Sequence, residues 1–140
     1  MKILFAADGS RFTKKALAFL VTHDALLEDS SELLVLHVQP VLPAHVKSFA
    51  GRGVVASYYL DEAEKVLEPI RKFLKKHPIK FKADWVIGNP ALEIVNKAKR
   101  DNVHLIVMGT HGHGTLGRVL LGSVAQKVVA ECDRPILLVK

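Results

Sequence analysis

Gly88 to Gly109 reads GNPALEIVNKAKRDNVHLIVMG, a helix and a strand in immediate succession. Asn89 offers a capping oxygen, and Pro90 stands at the first helical position, where its missing N–H costs nothing. Ala91, Ile94, Val95 and Ala98 recur at helical spacing, so a helix with one buried face is predicted to run to about Arg100. Val103 to Met108 is an apolar run, as suits a strand covered on both faces. A helix feeding such a strand is half of a parallel βαβ unit.

The same alternation extends outward in both directions. Lys2 to Ala7 and Glu32 to Gln39 (ELLVLHVQ) read as buried strands. Between them, Ser10 caps a predicted helix reaching about Leu27, with Ala16, Leu17, Leu20 and Leu27 inward. Pro40 and Pro43 stop regular structure and open a connection to about Val55, long enough to indicate a functional or mobile loop. Ala56 to Lys76 follows as a helix, its apolar stripe drawn by Leu60, Ala63, Leu67, Ile70 and Leu74 and bent at Pro69. Ile79, Phe81, Ala83, Trp85 and Ile87 alternate with polar residues, the pattern of a half-covered strand near a sheet edge. Toward the C-terminus, Ser123 with Gln126 forms a capping-box pattern, Arg134-Pro135 ends that last helix, and Ile136 to Val139 is a closing strand. The sum is five strands alternating with four helices, so a parallel sheet covered on both faces is expected.

Composition agrees with one globular unit over residues 1–140: 49% of residues are hydrophobic and 24% charged. No segment approaches the roughly 18 apolar residues that span a bilayer, and MKILFAADGS is too brief an apolar run for a secretory signal. A lone cysteine, Cys132, permits no internal disulfide and points to a reducing cytoplasm; within its apolar helical pattern it is expected to be a buried, inert thiol. The net charge of +6 is concentrated at Arg71, Lys72, Lys75, Lys76, Lys80 and Lys82. Helix-end and sheet-edge roles account for these cations. With no interleaved aromatics and no helix-turn-helix or zinc pattern, nucleic acid is not the expected partner.

The segment Met108 to Val124, MGTHGHGTLGRVLLGSV, carries the chemistry. Gly109 leaves a buried strand and admits close approach to its backbone, while Gly112 and Gly114 permit the positive φ of an anion-holding nest. Gly122 and Ser123 open a helix, whose free N–H groups favour phosphate. This is neither the Walker A pattern nor the dinucleotide G-x-G-x-x-G spacing. Glycine content alone leaves a loose connection and an anion cradle equally open. Two histidines, His111 and His113, do not make a closed metal site. Arg118 reads either as a cation for a terminal phosphate or as a solvated surface charge.

Gly109-x2-Gly112-x9-Gly122-Ser123 resembles the nucleotide-binding signature of the ATP-binding universal stress proteins. Four further stretches match that family in order: Ile3 to Ser10 (ILFAADGS), His37-Val38, Gly88-x-Pro90 with Glu93-Ile94, and Arg134 to Val139 (RPILLV). The resemblance implies an open, Rossmann-like five-stranded parallel sheet of order 3-2-1-4-5. Ligands bind such sheets where the strand order reverses, here between the first and fourth strands. By position, the resemblance assigns Ala6 and Asp8 to the adenosine end, with Asp8 accepting from ribose hydroxyls, and lays Val38 against the adenine. Met108, Gly109, His111, Gly112, Gly122, Ser123 and Val124 would line the sugar and phosphate path. Ala6-Ala7 departs from the proline and larger residue frequent in relatives, which loosens the adenine pocket but keeps the aspartate.

The resemblance further implies ATP or AMP as the bound group, with Mg2+ as its companion ion, and a homodimer formed through the terminal strand. The role expected is a nucleotide-dependent regulatory module in stress response. Phosphoryl transfer needs a bridging metal, charge stabilisation and a positioned nucleophile. Met108 to Val124 holds no lysine and no carboxylate, so catalysis is expected to reach slow ATP hydrolysis at most. The alternatives are a slow ATPase or phosphotransferase, and an interaction protein whose pocket holds no nucleotide.

Overall fold

The computed structural model describes residues 1–113 and 120–140; the expectations for Gly114 and Arg118 lie outside these described residues. Five strands form one sheet: β1 (Lys2–Ala6), β2 (Glu32–Gln39), β3 (Phe81–Ile87), β4 (Leu105–Gly109) and β5 (Ile136–Val139). All pair in parallel, in the order β3-β2-β1-β4-β5. The expected order is therefore the observed one, and it reverses between β1 and β4.

Alternation of side chains across the strands builds a core on each face. Leu4, Leu34, Leu36 and Ile106 pack with α4 (Pro90–Arg100) and α5 (Ser123–Glu131). Ile3, Phe5, Leu33, Val35 and Val107 pack with α1 (Arg11–Thr22) and α3 (Arg52–Leu74). β1 and β4, the central pair, have fully buried interiors, whereas the edge strand β3 alternates between exposed and half-covered positions.

Two helices, α1 and α4, start where the capping chemistry directs. Ser10 accepts from the Thr13 N–H at the head of α1, and Asn89 accepts from the Leu92 N–H at the head of α4. The buried residues of α4 are Ala91, Ile94, Val95 and Ala98, the face read from the sequence.

Several boundaries differ from expectation. α1 ends at Thr22, and a short 3-10 turn over Asp24–Leu26 carries the chain to half-buried Leu27. The long connection after β2 contains a helix, α2 (Ala44–Ala50), and α3 begins at Arg52. α2 buries nothing, so no apolar periodicity marks it in the sequence. On α3 the inward stripe is Tyr59, Ala63, Leu67, Ile70 and Leu74, with Leu60 exposed. Tyr59 takes the inward place because its hydroxyl accepts from the Leu42 N–H at 2.8 Å, tying α3 to the segment after β2. α3 continues through Pro69 as one helix. Cys132 is the half-buried C-cap residue of α5, against the core on that face.

The basic stretch is partly neutralised where it lies. Arg71 pairs with Glu64 at 2.6 Å, Lys72 with Glu68 at 3.4 Å, and Lys82 with Glu32 of the neighbouring strand at 2.7 Å. The Lys82 ammonium holds the Glu32 carboxyl below its ordinary range. Among the described residues, no helix is long and apolar enough to cross a membrane.

Candidate functional site

The C-terminal ends of β1, β2 and β4 converge with the head of α5 on a crevice of about 840 Å³. It lies at the reversal of strand order, where the strands on either side send their following loops apart. Ala6 and Asp8 line it from β1 and its turn, and Val38 from β2. Met108, Gly109, His111 and Gly112 line it from β4 and its loop, and Gly122, Ser123 and Val124 from the α5 end. The ten residues singled out in the sequence thus share one cavity.

Asp8 is held rigidly. One carboxylate oxygen accepts from the Ser10 N–H at 2.9 Å and the Thr13 hydroxyl at 2.7 Å. The Asp8 N–H in turn donates to the Thr13 hydroxyl oxygen at 3.0 Å. Gly9 adopts φ +77°, the left-handed conformation that turns the chain from β1 into α1. The other carboxylate oxygen lies against Gly112: a Cβ there would stand 2.6 Å from it. His113 ties the same loop down, its Nε2–H donating to the Asp8 carbonyl at 2.7 Å.

The glycines act differently from the expectation. Gly112 is absent from the positive-φ residues, which among those described are Gly9, Gly51 and Asn102; it is required for close approach to Asp8. Gly109 makes room for a protein neighbour, since a Cβ would sit 2.5 Å from the Phe12 Cβ of α1. Residues 109–113 thereby pack on α1 and Asp8. His111 is held in this stretch by its ring contact with Phe12, centroids 5.1 Å apart, and by a 2.9 Å contact between its Nδ1 and the Thr110 hydroxyl.

At α5 the cap shifts by one residue. Gly122 is the N-cap, and its N–H already donates to the Thr110 carbonyl at 2.8 Å. The capping box does not form, because Ser123 lies inside the helix and Gln126 Nε2 donates to the Leu121 carbonyl at 3.0 Å. A glycine cap has no side chain to satisfy the first turn. The first helical bond runs from Gln126 N–H to the Gly122 carbonyl, so Ser123, Val124 and Ala125 present N–H groups ahead of it. This open helix end, with its positive dipole, faces the crevice.

Other lining residues were not singled out in the sequence as site residues. Thr13 orients Asp8, His37 and Gln39 close the β2 end, and Glu62 and Lys65 of α3 form a rim. A polar pair in the otherwise aliphatic run ELLVLHVQ was the available signal. His37 is 5% exposed. Among the described residues, no three His, Cys, Asp or Glu side chains gather as a metal site.

The universal stress protein family model matches residues 1–140. The chain belongs to the universal stress protein family. It is 34% identical to the universal stress protein YxiE of Bacillus subtilis, over 99% of this chain and 98% of that one. Its fold is similar to the solved structure of MJ0577 from Methanocaldococcus jannaschii, with a TM-score of 0.85, 33% identity and coverage of 99% and 94% of the two chains. It also superposes on a universal stress protein family protein from Arabidopsis thaliana with AMP bound, at a TM-score of 0.71 and 18% identity, covering 100% and 91%. In all these comparisons the universal stress protein fold extends over nearly the whole of this chain.

Proposed function

We propose that this universal stress protein binds an adenine nucleotide, ATP or AMP, in the crevice and serves as a nucleotide-dependent regulatory module in stress response. One observation carries the reading: a fixed carboxylate at Asp8 and an open, uncapped helix head at Ser123 to Ala125 face one cavity at the strand-order reversal. The carboxylate accepts from hydroxyls of a sugar, and the helix head donates to a phosphate. The AMP held by the Arabidopsis thaliana relative supports an adenine nucleotide here. Val38 and Met108, 8% and 6% exposed, supply apolar surface for the base.

Mg2+ would enter with a polyphosphate, held through the phosphate oxygens, because no metal-ligating cluster stands ready among the described residues. Met108 to Val124 holds no lysine and no carboxylate, which makes the site a holder of nucleotide, with slow hydrolysis as its upper limit. The protein works in the cytoplasm as a homodimer paired through β5, an edge strand whose four residues are half-buried in the single chain. Light scattering at micromolar concentration is expected to give the mass of two chains; a one-chain mass overturns the dimer.

Mass spectrometry of the small molecule carried by the purified protein, with calorimetry against ATP and AMP, tests the binding. A carried adenine nucleotide or saturable heat is expected. Absence of both overturns the reading.

A further inference from the structure

Thr13 stands in the first turn of α1, 3% exposed, and its hydroxyl is committed on both sides. It accepts from the Asp8 N–H at 3.0 Å and donates its one proton to a carboxylate oxygen of the same residue at 2.7 Å. An N–H only donates, so the direction of that proton is fixed by the partners present. Backbone and side chain of Asp8 are thus tied to a single group. The Ser10 N–H, brought round by the left-handed turn at Gly9, reaches the same carboxylate oxygen at 2.9 Å. A carboxylate oxygen offers two lone pairs, and on this one both are occupied. The other oxygen lies against Gly112 and meets no donor among the described residues. It is the acceptor that Asp8 has left for an occupant of the crevice.

We infer that Thr13 is the positioning residue for sugar recognition: by holding one Asp8 oxygen, it aims the other at a hydroxyl of the nucleotide's sugar. A carboxylate free to turn spreads its acceptors over many directions and must be ordered when the ligand arrives. One fixed by two donors presents its remaining acceptor in one place beforehand. The inference rests on the nucleotide reading above, and it assigns the preference for a hydroxylated sugar to Thr13 acting through Asp8.

The test is calorimetric titration of the full chain with AMP and with 2′,3′-dideoxyadenosine monophosphate, which lacks both sugar hydroxyls. The wild type is expected to prefer AMP by about tenfold, the scale of one hydrogen bond to a charged group. Thr13→Val, which keeps the shape and removes the hydroxyl, is expected to bring the two affinities within about threefold of each other. Thr13→Cys, a weak donor, carries the same expectation should the valine variant fail to fold. Thr13→Ser restores the hydroxyl and is expected to restore the preference. A merely structural role would lower both affinities alike and leave their ratio unchanged. A wild-type ratio in Thr13→Val or Thr13→Cys overturns the inference, as does a wild type indifferent to the two nucleotides; both results leave nucleotide binding standing. A wild type that binds neither overturns the binding proposal and this inference with it.

Discussion

Gly109 and Gly112 lie three residues apart, and a methyl group added at each meets a different neighbour. At Gly112 it meets the Asp8 carboxylate at 2.6 Å, so Gly112→Ala must displace the group proposed to hold the ribose. Nucleotide affinity is expected to fall by about tenfold or more, with the circular dichroism spectrum kept; unchanged affinity in calorimetry would remove Asp8 from the binding role. At Gly109 the methyl meets the Cβ of Phe12 at 2.5 Å, between a central strand and α1. Gly109→Ala is therefore expected to cost about 1–3 kcal/mol of stability, read by urea denaturation. Away from the crevice, Asp101 accepts from Lys97 at 2.7 Å, and that bond holds its carboxyl below the ordinary range. A depressed carboxyl contributes stability above the unfolded-state pKa of about 3.9, and that contribution is lost as pH falls through the lower folded value. Asp101→Asn is expected to flatten the fall of melting temperature on acidification below about pH 4. A wild-type acid profile in that variant counts against the pairing.

Among the elements, α5 shows how a one-residue shift of a helix start changes what its end is for. Ser123 and Gln126 have the spacing of a capping box, but the N-cap is Gly122, because the Gly122 N–H is drawn to the Thr110 carbonyl. Ser123 therefore caps nothing in the free protein. Ser123→Ala is expected to change stability by less than about 0.5 kcal/mol, and a loss above about 1 kcal/mol in thermal denaturation would reinstate it as a cap. α2 gives the opposite lesson. Pro43 stands at its start and Gly51 at its end, but it buries nothing and its Phe49 is 96% exposed, so no apolar periodicity announces a helix between them. α4 was legible almost to the residue, since its cap, its proline and its buried face are all local features.

For the whole molecule, stability resides in two cores that share the central strands. Leu67, fully buried where α3 meets the sheet, is expected to cost about 2–5 kcal/mol when cut to alanine, read as a lowered denaturant midpoint. A cost near zero would mean that α3 does not anchor that face. The sequence by itself determined the alternation of strand and helix, the buried faces of α1 and α4, and the candidates for the crevice. The alternation and the buried faces follow from side-chain periodicity and capping, which act within a few residues, whereas the crevice candidates came from the family resemblance of the glycine signature. Tertiary structure alone decided that Gly112 exists for Asp8, that Gly109 exists for Phe12, that Tyr59 displaces Leu60 inward, and that His37 joins Ala7 to Gln39. Each of these contacts joins residues from separate parts of the chain, or depends on one that does. Parallel strands are paired through crossovers, so their register, and everything the register brings together, is set only when the sheet closes.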